Sequence, residues 1–387
     1  MAEHAKLSAS GSKKWLNCPG SVAFEKEFPD EESEFAKEGT TAHALGELKI
    51  KLALKEITRV QYHKQKASLQ TDNEMEKYIE SYKDFVTERY NEALAISKGA
   101  AIFLEQKVDY SDYAPDGFGT SDVIIVTNGK MEVIDLKYGK GVSVKAQKNP
   151  QMMLYALGAL KEYDFIYDIK NVIMTIYQPR KDNIESFEMT TDALYQWGAE
   201  IRPLAEKAHQ GVKEYKAGKH CTENFCKAKA VCRTFSESME KIESYADKTP
   251  ERLNNTEIAE ILDKVDQLVK WAKSVKEYAL QKALQGEVFT GFKVVEGRKR
   301  RGWNKSEDEI IKVLQDMGAS DETIYKKTLR SVTEMEKEQL PKGFSDIFGK
   351  YVETYAGAPT LVRLEDKRPE WNAAQSAADD FSEIETF

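Results

Sequence analysis

The sequence contains no run approaching the roughly 18 consecutive apolar residues of a membrane span. Of its 387 residues 41% are hydrophobic and 32% charged, so a helical membrane protein is excluded and a soluble globular chain expected. Residues 1–12 hold no apolar segment ahead of a small-residue cleavage site, so no secretory signal is visible and a cytoplasmic location is expected. Excess positive charge is also missing: 57 basic residues meet 65 acidic ones, for a net charge of −8. Coating of nucleic acid by bulk charge is therefore excluded, although a local basic groove is not. Cysteine is scarce, with Cys18, Cys221, Cys226 and Cys232 the whole complement. Two structural disulfides are not expected in a reducing compartment, and the grouping of three of the four points to metal. The usual zinc pattern of Cys-x2-Cys pairs is absent, which weakens zinc. No internal repeat or low-complexity linker interrupts the chain.

What is present is enough chain for two units or one elaborated domain. Ser10 to Ser21 reads as a short helix closed by a turn at Asn17-Cys18-Pro19-Gly20. Phe35 to Leu54 and Asn73 to Lys98 read as helices, and His43 and Glu47 share a face of the first. Three β-rich runs follow, at 101–108, 119–126 and 131–137, with turns at Pro115-Asp116-Gly117 and Thr127-Asn128-Gly129. They predict a three-strand meander. Gln151 to Tyr163 is predicted helical, Asn171 to Gln178 a strand beside the meander, and Thr191 to Ala217 a helix leading into the cysteines. Asn254 and Glu257 form a capping-box pattern ahead of a long amphipathic helix to about Gln285. Its apolar stripe packs on the core or meets a partner. Val288 to Glu296 suggests a hairpin and Glu307 to Met317 a further helix, before an acidic tail at Asp379 to Phe387.

Cleaving a phosphodiester with a metal needs carboxylates for the cation, an activated water and a positive group near the developing charge. Asp122 lies on the second predicted strand. Asp135 and Lys137 are two apart on the third, hence on one sheet face. Each carboxylate adjoins Val and Ile, where a buried charge needs a partner such as a metal. Glu105, on the first strand, is either a further ligand or a surface carboxylate. Lys137, Lys140, Lys145 and Lys148 form one basic run and Arg298 to Arg301, with Trp303 near, another. Either suits phosphates, the second also single-stranded bases; solvated loops are the alternative.

Gly119-x-x-Asp122, Ile134-Asp135-Leu136-Lys137 and Gln151-x-x-x-Tyr155, in that order, resemble the successive motifs of RecB-like nucleases. These are a branch of the PD-(D/E)XK superfamily that includes phage exonucleases, AddB-type nuclease domains and CRISPR-associated adaptation nucleases. His43, in Gly39-Thr-Thr-Ala-His43-Ala-Leu-Gly-Glu47, matches the upstream histidine motif. The resemblance implies a restriction-endonuclease-like α/β core, a mixed sheet flanked by helices, with a mainly helical C-terminal region. It implies that His43, Asp122, Asp135 and the Leu136 carbonyl bind Mg2+ or Mn2+, that Lys137 stabilises the transition state, and that Gln151 and Tyr155 touch DNA or brace the site. One N-terminal cysteine with three C-terminal ones is similar to the iron-sulfur staple of AddB-type and CRISPR-associated members. Four thiolates are the normal ligand set of a 4Fe-4S cluster, which here would be structural; zinc remains a rival for the same ligands.

The implied domains are a nuclease core over 1–240, closed by the cysteines, and a helical region over 241–387. The layout, including Gly357-Ala-Pro-Thr-Leu361 and Asp366-Lys-Arg-Pro369, resembles an uncharacterised phage family of RecB-like proteins. The implied activity is a DNA exonuclease trimming single- or double-stranded ends in phage or prophage recombination or replication, alongside a recombination or single-strand-binding partner or as an oligomer. A flap or junction endonuclease and an inactive DNA-binding or assembly protein are the alternatives.

Overall fold

In the computed structural model the residues described are 5–29, 34–243, 253–295, 307–318 and 320–325. Arg298 to Arg301, Trp303, Gly357 to Leu361, Asp366 to Pro369 and the Asp379 to Phe387 tail lie outside them. The chain divides into two compact units, 1–295 and 296–387. In the second, the described residues form α11 and α12, given below with the other helices.

The first unit opens with helices. α1 (Ser12–Trp15) and α2 (Ser21–Glu25) flank the turn that carries Cys18. α3 (Glu34–Ala53) and α5 (Asn73–Ile96) match the two predicted helices; between them stands an unforeseen α4 (Arg59–Lys66), started by a reciprocal Thr58–Gln61 capping box. α5 starts where Asp72 accepts the Met75 N–H at 2.7 Å. α6 (Pro150–Tyr167) pairs an Asn149 cap with proline at its first position. α7 (Thr191–Gln210) ends seven residues before the predicted Ala217. Gly211 there adopts φ 72, and the Val212 N–H returns to the Lys207 carbonyl. α8 (Lys219–Glu223) carries Cys221; Cys226 and Cys232 lie between it and α9 (Arg233–Glu243), and α10 (Asn255–Leu284) carries the expected Asn254–Glu257 box. The described part of the suggested hairpin, 288–295, contains no strand. In the second unit, α11 (Glu307–Asp316) matches the predicted helix, and α12 (Asp321–Ile324) is a single turn.

Five strands, β1 (Ala101–Asp109), β2 (Phe118–Thr127), β3 (Lys130–Leu136), β4 (Asn171–Gln178) and β5 (Asn183–Thr190), form one mixed sheet in sequence order. β1, β2 and β3 are the expected antiparallel meander. β4 lies parallel to β3 because α6 carries the chain back across the sheet. β5, unforeseen, closes the edge antiparallel to β4.

Helices cover both faces, which is why residues 123–126 read as an unbroken apolar run rather than an alternation. Val123, Ile125, Ile134 and Leu136 pack under Ala42 and Leu45 of α3 and Ile79, Tyr82 and Val86 of α5. Ile124, Val126, Met131 and Val133 face α6 and α7. α10 has no fully buried residue; Leu268 and Trp271 pack on Cys221, Phe235 and Met239, so its stripe covers the cysteine region instead of the sheet. Among the described residues no helix is long and apolar enough to cross a membrane.

Candidate metal centre and cysteine site

β2 and β3 pair from Thr127/Lys130 to Val123/Ile134, and the ladder stops there. β2 continues beside β1, and β3 continues beside β4 through Leu136. The two strands therefore fork, and Asp122 and Asp135 are the first residues past the split. Asp122 Oδ2 accepts the Leu136 N–H at 2.7 Å, a side-chain bond in place of the lost strand partner. Leu136 thus reaches the site through its N–H.

Asp122 Oδ1 lies 3.1 Å from His43 Nδ1, delivered by α3. Glu105, across from Asp122 in the β1–β2 register, is skipped by the ladder and has φ 47, a conformation that costs a glutamate about 1–3 kcal/mol. His43, Glu105 and Asp122 bring one ligand atom each within 4.8 Å of one another. Glu105, left open in the sequence, therefore belongs to the cluster.

Asp135 is 3% exposed and meets Lys137 Nζ at 2.9 Å through Oδ2 and 3.3 Å through Oδ1. Gln151 bridges this pair: its Nε2 donates to Asp135 Oδ1 at 3.2 Å and its Oε1 accepts from Lys137 at 3.1 Å. Tyr155, one turn along α6, accepts from the same Nε2 at 3.3 Å. The Tyr155 ring reaches this position because residue 119 is glycine; a Cβ there would sit 2.8 Å from the ring. The fold thus assembles His43, Asp122, Asp135, Leu136, Lys137, Gln151 and Tyr155, which span more than a hundred residues of sequence, in one place.

The charges are coupled. Burial alone would depress His43, but Asp122, with Asp135 and Glu105 behind it, carries its pKa up to about 9. Burial, then the Asp122 charge, pushes Glu105 up to about 7 against the pull of His43. Burial likewise raises Asp135 against the opposing pull of Lys137. Lys137 is also raised: burial works against its charge, and Asp135 more than compensates. Tyr82 OH and Ser121 Oγ are buried without a hydrogen-bond partner. Carboxylates plus one imidazole, with buried polar atoms left unmet, fit a hard divalent cation. Tyr82 escaped the sequence reading because Met75, Ile79, Tyr82 and Val86 form an ordinary buried helix stripe.

At the other site Cys18, Cys221, Cys226 and Cys232, all free thiols, line one small cavity with Lys14, Ser21, Lys216, His220 and Lys229. The Lys216 N–H points to Cys18 Sγ at 3.5 Å. Ser21 Oγ is buried there without a partner. No three of the thiols form a group with all sulfurs within 4.8 Å, the described residues containing one such ligand set, at His43. Burial pushes the Cys221 thiol up to about 11 and Cys226 up to about 12, so thiolates there require a cationic partner. A metal group fits this donor set.

Fold and site define an α/β protein with a mixed five-stranded sheet between helices and an acid-histidine cluster at the fork of two strands. Residues 4–369 match the family described as "Protein of unknown function (DUF2800)", and the chain belongs to that family. A solved structure described as "Crystal structure of SSO0001" is similar at 16% identity with a TM-score of 0.26, over 61% of this chain and 89% of that one. A TM-score that low has no bearing on fold or function.

Proposed function

We propose that the chain is a metal-dependent deoxyribonuclease of the RecB-like PD-(D/E)XK type, acting on DNA ends. The observation that carries this is the fork: two acidic side chains at the parting of β2 and β3, one held by His43 and the other by Lys137. Mg2+ or Mn2+ held by His43, Asp122 and Glu105, with Asp135 beside them, would supply Lewis acidity and a nucleophilic water at neutral pH. Lys137 stays charged and, 29% exposed, can face a phosphate while its other side rests on Asp135. Gln151 fixes both partners, and Tyr155 fixes Gln151. The test is digestion of end-labelled linear and closed circular DNA with either cation. Cutting of linear DNA alone supports an exonuclease; cutting of circles moves the activity to an endonuclease, and no cutting of either removes the nuclease reading.

Cation affinity should follow His43 and Glu105. Binding must displace the proton each holds below its pKa, so affinity is expected to rise by up to about 100-fold per pH unit below about 7. It should rise about tenfold per unit from there to about 9, and level off above. Calorimetric titration with Mn2+ across this range checks it; a flat profile would remove His43 and Glu105 from the site.

Lys13, which the sequence did not single out, is a candidate substrate contact. Its ammonium is half-buried with no hydrogen-bond or ion-pair partner among the described residues, on α1, which packs against both α6 and α8. Burial lowers its pKa, Glu223 opposes this and Lys137 adds to it, so Lys13 feels both the fork and the cysteine region. We propose that it meets a backbone phosphate. Lys13→Ala should reduce the slope of log affinity against log salt by about 0.9 for duplex or about 0.7 for single-stranded DNA. Binding in Ca2+ measures this, and an unchanged slope would exclude the contact.

For the cysteines we propose a structural 4Fe-4S cluster. A tetrahedral zinc with bonds of about 2.3 Å brings all four sulfurs to roughly 3.8 Å from each other, whereas no three of these thiols group within 4.8 Å of one another. Lys14, Lys216 and Lys229 around the cavity suit the negative charge of four thiolates.

A further inference from the structure

Tyr82 is 2% exposed, and its hydroxyl is buried without a hydrogen-bond partner. A phenylalanine would fill the same place in the α5 stripe without an unmet polar atom, so the oxygen costs stability as it stands. The ring is fixed from two sides. Tyr177 lies 5.3 Å away, centroid to centroid, and on α3 the glycine at 46, three residues after His43, lets the ring edge come in; a Cβ there would be 3.2 Å from Tyr82 Cε1. Burial, then the charges of Asp122, Asp135 and Glu105, hold the phenol far above its usual range, so it remains a protonated donor. A buried donor whose ring packs against the turn of α3 that follows His43, and whose hydroxyl has no acceptor, is open to an acceptor that arrives with a ligand.

We infer that Tyr82 is a positioning residue of the cation site, its hydroxyl donating a hydrogen bond to the oxygen ligands gathered around a divalent cation at His43, Glu105 and Asp122. Its support comes from the α5 side of the sheet, whereas Gln151 and Tyr155 brace Asp135 from the α6 side. The inference rests on the proposed cation site but not on nuclease activity.

The test compares the full-length wild type, Tyr82→Phe and Tyr177→Phe by Mn2+ calorimetry and by melting in chelator. Tyr82→Phe should bind Mn2+ roughly tenfold more weakly, as loss of an outer hydrogen bond does, while melting in chelator at the wild-type temperature or above it. Tyr177→Phe, which loses a hydroxyl bonded to Ser81 at 3.2 Å in the same layer, should melt lower and bind Mn2+ normally. Mn2+ affinity of Tyr82→Phe within twofold of wild type would overturn the inference and leave the cation site standing. So would a loss of affinity matched by lower melting in chelator, which marks a purely structural hydroxyl. Absence of saturable Mn2+ binding by the wild type would overturn the cation site itself and the role of Tyr82 with it.

Discussion

Asp135→Asn is expected to lower hydrolysis of end-labelled DNA by roughly 10²- to 10³-fold while leaving the metal-free protein folded. Asp135 is where the sheet, Lys137 and Gln151 converge, at 2.9 Å and 3.2 Å, so its charge sets both the position of the ammonium and the negative potential at the fork. Asparagine keeps the shape and an acceptor oxygen but removes the charge. Folding should tolerate this because burial already disfavours the ionised carboxyl, and Lys137, partly exposed, can be rehydrated. What should vanish is stabilisation by the cation. At a concentration 100-fold above its Kd, a ligand specific for the native state adds about 2.7 kcal/mol. Wild-type protein should therefore melt higher with Mn2+, and Asp135→Asn should not. Wild-type rates in the variant would remove Asp135 from the chemistry.

Cys221→Ser is expected to cost the protein its metal group and several kcal/mol. Cys18 and the C-terminal cysteines are about 200 residues apart in the chain, and a link closing a loop of that length removes about 5 kcal/mol of unfolded-state entropy in the chain-entropy model. The loss should spread. Phe235 and Met239 pack on Cys221, and Leu268 and Trp271 of α10 pack on that group, so the helix loses its seat as well. Melting should fall by roughly 10 °C or more, with new proteolytic cuts between 212 and 232. The wild type, purified anaerobically, should be brown, absorb near ~400 nm and contain iron. Colourless wild type with stoichiometric zinc would replace the cluster with zinc while preserving the loss of stability. Absence of both metals, with an unchanged melting point in the variant, would end the metal reading of the cysteines.

The first four strands were legible because Val and Ile concentrate in short runs bounded by turn residues, and Asp135-x-Lys137 was legible because a strand repeats every two residues. β5 was not. Its inward positions, Asn183, Glu185, Phe187 and Met189, mix polar with apolar side chains, so an edge strand leaves little hydrophobic alternation to read. Two other boundaries carry local signals of their own: the Thr58–Gln61 box opening α4, and Gly211 stopping α7. The long stripe of α10 announced a helix but not its cover, because periodicity reports that a face is buried and never against what.

By itself the sequence determined the chemistry on offer: which carboxylates, lysine, histidine and thiols exist, in what order, and on which kind of element. Those follow from local rules, the two- and 3.6-residue periods, capping and turn chemistry. Only the tertiary structure decided which of them meet. The fork that parts Asp122 from the β3 ladder, the positive φ that brings Glu105 to His43, the Tyr82 hydroxyl left without an acceptor and the cavity that joins Cys18 to Cys221 all depend on contacts between segments far apart in the chain. Such contacts are set by how helices cover the two faces of the sheet, which no stretch of neighbouring residues encodes alone.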